Sequence, residues 1–186
     1  MKKLFSILSF IVVVHVVAQT PGERVAQTAM IVWKDSLFPK WSYDLGVILK
    51  GMEGNWYRTG NPIYFQYIQK QMDFFVQNDG TIRTYKKEEF NIDHINNGKL
   101  LLFLYRVTEK EKYWKAAQLL RQQLREHPRT NEGGFWHKKV YPYEMWLDGL
   151  YMGQPFYGEY AMLTRDDSAF NDIANQFSWM ENHARD

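Results

Sequence analysis

Two aspartates in this 186-residue chain sit where acid–base chemistry is possible. Asp148 lies in "YPYEMWLDGLYMGQPF" (residues 141–156) and Asp93 in "FNIDHINNGKLLLFLY" (residues 90–105). Met145, Trp146 and Leu147 precede Asp148; Gly149, Leu150, Tyr151 and Met152 follow it. Such surroundings strip water from a carboxylate and raise its pKa, whereas a helix N-terminus pulls the other way. A carboxylic acid balanced between these effects can donate a proton near neutral pH, as general-acid chemistry requires. Gly149 leaves backbone room beside the acid for a ligand to approach. The competing reading is structural, because aspartate is also favoured at N-caps and in first turns. His137, in "GGFWHKK", is a third candidate, since the glycine pair and Phe135-Trp136 before it mark a shaped loop.

Residue types and spacing argue against other chemistries. Without cysteine there are no disulfides, thiolate nucleophiles or Cys-based metal sites. The five histidines are scattered with no H-x-x-x-H spacing, and no carboxylate cluster accompanies them, so no metal site is expected. There is no serine nucleophile elbow and no phosphate-cradling glycine loop followed by lysine.

The elements that must position these residues are helical nearly throughout. Apolar spacing predicts helices over about 22–34, 43–57, 60–77, 93–107, 110–127, 145–162 and 168–184, with no convincing sheet. In the first, Val25, Ala29, Val32 and Trp33 share a face; in the fifth, Tyr113, Ala117, Leu120 and Leu124 do. Asp79-Gly80 marks a reversal, and "HPRTNEGGFWHKKVYP" reads as a long loop. Helices at 60–77, 110–127 and 168–184 are amphipathic, whereas those near 44–57, 93–107 and 147–162 are more apolar, as elements covered on both sides would be. The two kinds alternate, so the unit is a helical hairpin. Each inner helix opens with an acid after an apolar or aromatic residue: Tyr43-Asp44, Ile92-Asp93 and Leu147-Asp148. Hairpins repeated at this spacing and stacked around one axis would gather Asp44, Asp93 and Asp148 at one end of a cavity. For Asp44 the capping role is retained.

The first eighteen residues, with Lys2 and Lys3, an apolar run to Val17 and small Ala18, have the build of a signal peptide cleaved after Ala18. That predicts a secreted or periplasmic protein of one domain, residues 19–186, with no membrane association after cleavage. Losing Lys2 and Lys3 takes 23 basic residues to 21 against 21 acidic, which lacks the basic surface of a nucleic-acid binder. The 7 Trp, 12 Tyr and 12 Phe can fill a core, but they also suit stacking against sugar rings.

"KWSYDLGVILKGM", "FNIDHINNGKLLLFLY", "KYWKAAQLLRQQLREHPRTNEGGFWHK" and "YPYEMWLDGLYMGQPFYGEYA" together resemble the unsaturated rhamnogalacturonyl hydrolases of glycoside hydrolase family 105, relatives of the family 88 unsaturated glucuronyl hydrolases. The resemblance runs over residues 24–186. It implies an all-α (α/α)6 barrel, of which the seven helices make about half, and no metal or cofactor. It implies removal of a 4,5-unsaturated galacturonic acid from rhamnogalacturonan oligosaccharides by hydration of a vinyl ether. The family's acid falls on Asp148 and its second carboxylate on Asp93; Tyr43, His137, Trp146 and Met152 match positions lining the sugar pocket. Relatives continue with further hairpins past "WMENHARD", so this chain is expected to correspond to an N-terminal half with inner faces open to water. Two other functions stay open: a non-catalytic half-barrel that binds sugar or self-associates, and a glucuronyl hydrolase acting on glycosaminoglycan fragments.

Overall fold

The computed structural model describes residues 19–35 and 39–184, and the expected signal peptide lies outside them. Among these residues seven α-helices follow one another: α1 (Pro21–Val32), α2 (Tyr43–Thr59), α3 (Pro62–Phe75), α4 (Gly98–Thr108), α5 (Glu111–Glu126), α6 (Leu147–Thr164) and α7 (Ser168–Ala184). Among the described residues, extended structure amounts to three isolated bridges: Val76 with Ile82, Arg129 with Phe135 and Lys138 with Tyr141. No helix among them is long and apolar enough to cross a membrane.

Local chemistry sets the boundaries. Thr20 and Glu23 form a reciprocal capping box around Pro21, which begins α1 without needing its missing N–H. Gly60, at φ 66°, ends α2 in the left-handed conformation and donates its N–H to the Trp56 carbonyl. The Asn61 side chain then accepts from the Ile63 N–H and opens α3.

The hairpins α2–α3, α4–α5 and α6–α7 pack as pairs, and α2, α4 and α6 touch in series to form the inner layer. Gly98–Leu104 of α4 are buried on every face, as expected of a helix covered on both sides. α5 buries Tyr113, Ala117, Leu120 and Leu124, the expected face. Large rings join the layers: Phe103 of α4 meets Trp56 and Phe65, and Trp114 of α5 stacks at 4° on Tyr160 of α6. Burial of each such ring contributes about 1.5–3 kcal/mol.

Two expectations are corrected. The helix placed at 93–107 is split: Ile92–Asn97 form a 3-10 turn, and α-geometry begins at Gly98. The amides of Asn96 and Asn97 donate to the carbonyls of Tyr43 and Ser42, so these side chains serve a neighbouring element rather than a regular turn. Gly46 makes that approach possible, because a Cβ there would meet Asn97 Oδ1 at 2.3 Å. The buried face of α1 is Ala26 and Ala29, with Met30 and Trp33 packed against the core; Val25 and Val32 are exposed. These two valines, with Val47 of α2, line an apolar groove of about 960 Å³ between the helices. The expected helix near 145–162 is present as α6; it contains Pro155, whose missing N–H removes one bond from its ladder.

Candidate active site

α6 begins at Leu147, with Trp146 as N-cap and no capping side chain, so Asp148 is its second residue and does not act as the cap. Asp93 holds the same place in the 3-10 turn, where Asn91 caps by accepting from the Asp93 N–H, and Asp44 the same place in α2. The alternating Tyr43-Asp44, Ile92-Asp93 and Leu147-Asp148 pattern therefore marks the opening of the three inner elements. α6 lies against the 3-10 turn, and the Ile92 N–H donates to the His137 carbonyl, tying the long loop to that turn.

His137 is where these elements meet. Its side chain is buried, with Nε2 3.3 Å from Asp93 Oδ1 and Nδ1 4.0 Å from Asp148 Oδ1. The two carboxylates thus approach different nitrogens of the same ring and lie close to one another, with Nε2 facing Asp93 and Nδ1 making no hydrogen bond. Trp146 stacks on it at 4.2 Å and 8°, and Tyr141 stacks on Trp146 at 5.2 Å and 20°. Gly149 admits the imidazole: a Cβ there would lie 3.3 Å from Nδ1.

Lys138 Nζ lies 2.8 Å from Asp93 Oδ2. Burial pushes the Asp93 carboxyl up, but hydrogen bonds and charge from His137 and Lys138 outweigh it and hold the group below its ordinary value. Asp93 is therefore an anion held between the His137 imidazole and the Lys138 ammonium. Asp148 differs from expectation: its side chain is 54% exposed, and Trp146 and Leu147 beside it are also exposed. The aromatic and methionine neighbours do not desolvate it here.

Of the other expected pocket residues, Met152 is buried one turn beyond Asp148, while Tyr43 opens α2 with an exposed ring. Asp44 stays outside the cluster and accepts from the Ser42 hydroxyl. Sequence reasoning missed Lys138 and Tyr141. It also missed the clamp that shapes the loop. Arg129 binds Asp172 of α7 through two 2.7 Å contacts and donates to the Gly133 carbonyl. The buried Gln176 accepts from the Phe135 N–H at 2.9 Å and donates to the same carbonyl. His127 Nε2 donates to the Trp136 carbonyl, and burial lowers its pKa to about 4, which keeps it neutral in that role. The only hint in the sequence was the shaped character of the loop.

Asp93, His137 and Asp148 bring three possible ligand atoms within 4.8 Å of one another; the hairpin spacing brought the two aspartates together but not the histidine. The carboxylates lie at opposite nitrogens of one ring, and an ammonium already pairs with Asp93. That arrangement suits a hydrogen-bonded carboxylate–imidazole pair beside an exposed acid better than a chelate.

Paired helices in an arc, with two acids and stacked aromatic rings where the inner elements begin, make up part of an α-helical toroid. The model of Glycosyl Hydrolase Family 88 matches residues 20–186, and the chain belongs to that family. It is similar to a family 105 glycoside hydrolase structure from C. acetobutylicum ATCC 824: 43% identity, TM-score 0.82, covering 88% of this chain and 45% of that one. A curated relative, the unsaturated rhamnogalacturonyl hydrolase YesR of Bacillus subtilis (strain 168), is 26% identical over 152 residues, 78% of this chain and 42% of that protein. A structure from Klebsiella pneumoniae subsp. pneumoniae MGH 78578, described as a possible family 105 member, shares the fold at 21% identity and TM-score 0.64, over 76% of this chain and 36% of that one. The chain thus spans less than half the length of these relatives. Its all-helical arc is part of an (α/α)6 barrel, and its likeness is to the family 105 branch.

Proposed function

We propose that the protein takes part in removing a 4,5-unsaturated galacturonic acid from the end of a rhamnogalacturonan oligosaccharide. The observation that carries this is the placement of Asp148. It is exposed at the start of α6, beside a stacked Trp146–His137 pair, with a second carboxylate held by the imidazole Nε2 and Lys138. In the reaction, the Asp148 carboxyl gives its proton to C4 of the alkene, leaving an oxocarbenium ion at C5. Water bonds to C5 and returns a proton to the Asp148 carboxylate. The hemiketal then opens and releases the sugar that followed. Asp93 and His137 orient the ring; the anionic Asp93 is unsuited to proton donation. The partly exposed Trp146 adds apolar surface for the sugar beside the acid.

Family membership and the likeness to YesR support this reading, and the expected leader supports export. The experiment presents the protein with unsaturated galacturonyl-rhamnose and with an unsaturated glucuronyl glycosaminoglycan disaccharide. Absorbance of the conjugated alkene should fall with the first substrate and not the second. Preference for the second would move the assignment to a glucuronyl hydrolase, and sugar binding without loss of absorbance would make the arc a binding module. Sizing of the same sample tests whether the groove between α1 and α2 supports self-association.

A further inference from the structure

A cavity of about 540 Å³ lies between the long loop and the C-terminal turns of α7, apart from the Asp93–His137–Asp148 cluster. Trp179, Tyr143 and Met145 form its apolar walls, and Asn131, Glu132 and His183 its polar edge. Met145 also borders the small space around His137 and Gly149, so it is the partition between cavity and cluster. The volume falls within the range of small-ligand pockets.

Tyr143 makes this more than a packing defect. It has φ 65°, in the left-handed region that bulky residues rarely enter, yet its side chain is 64% exposed. No buried side chain compensates the strain; the ring leans on Trp136 at 4.8 Å and borders the cavity. Backbone strain held at an exposed aromatic is a feature of ligand clamps. The charges present also select a ligand class. Glu132 and His183 pair with each other at 2.7 Å, and among the described residues no lysine or arginine lines the cavity, so its described lining offers a carboxylate no fixed cation.

We propose that this cavity is a subsite for a neutral pyranose ring, stacked against Trp179 and Tyr143, with hydroxyls directed to Asn131 and the Glu132–His183 pair. Its place as the position of a sugar adjoining the uronate rests on the function proposed above; its capacity to bind a neutral sugar does not.

The test is an NMR titration of the whole protein, following the indole N–H of Trp179, assigned by its disappearance in Trp179→Phe. Methyl α-L-rhamnopyranoside or methyl β-D-galactopyranoside should shift it, and D-galacturonate should not. Tyr143→Gly should weaken the response at least tenfold while Tm stays at or above that of the parent protein, because glycine relieves the left-handed strain. Asp148→Asn should leave the titration unchanged. No response to either neutral sugar, an equal response to galacturonate, undiminished affinity in Tyr143→Gly, or a fall in its Tm would each overturn the proposal. Failure of the hydration reading would appear only in the alkene assay and leave these titrations intact.

Discussion

The imidazole of His137 and the indole of Trp146 lie 4.2 Å apart and 8° from parallel, with the ring nitrogens of His137 turned toward two different carboxylates. Trp146 therefore sets the plane in which His137 meets Asp93. Such a stack contributes about 1 kcal/mol beyond burial. Trp146→Ala should weaken binding of an unsaturated uronide roughly fivefold or more. Isothermal titration checks this, and unchanged affinity would remove Trp146 from the sugar wall.

Asp93 carries a pH signature. Its folded pKa lies below the ordinary 3.8, so its stabilising contribution is present above that value and is lost as pH falls through the folded one. Lys138→Met leaves a buried carboxylate with His137 as its remaining partner, at a cost of about 1–3 kcal/mol at neutral pH. Thermal unfolding from pH 7 downward should show the variant less stable at neutral pH, with the two curves converging in acid. Parallel curves would mean that Lys138 does not hold Asp93 charged.

Gly149→Ala separates stability from function. Alanine in a helix gains up to about 1 kcal/mol over glycine, but its Cβ would lie 3.3 Å from His137 Nδ1. Tm should hold or rise while the His137 ring resonances move and turnover falls. Unperturbed His137 signals would show that the close approach is not required.

The loop that carries His137 depends on α7. Gln176→Leu leaves the Phe135 N–H unpaired and takes one donor from the Gly133 carbonyl, for a loss of about 2–4 kcal/mol. Hydrogen exchange should speed up at Phe135 and not at the centre of α4. Equal acceleration at both places would mean that the whole fold, rather than the loop, has loosened.

What could be read from the sequence follows from the range of the interactions involved. Tyr43, Ile92 and Leu147 do open the three inner elements, because apolar periodicity and first-turn acids are local signals. The 3-10 geometry of Ile92–Asn97 was hidden because Asn96 and Asn97 take their hydrogen-bond partners from residues more than fifty positions away. The Arg129–Asp172 and Gln176–Phe135 contacts bridge more than forty residues and leave no pattern in either segment. Asp148 was read as poorly solvated because its sequence neighbours are apolar, yet neighbours on a helix point in different directions, and here Trp146 and Leu147 face out with it. The inward face of α1 was misjudged for a related reason: valine and alanine fit the same periodic pattern, and only the close approach of α2 selects the smaller side chains.

The most direct test of the account is the alkene absorbance of unsaturated galacturonyl-rhamnose followed with the protein and with Asp148→Asn at matched concentrations. The account predicts loss of absorbance with the parent protein and at least a thousandfold slower loss with the variant, with substrate affinity retained. An Asp148→Asn protein that consumes the alkene at the parental rate would contradict it, because the proton for C4 would then come from elsewhere.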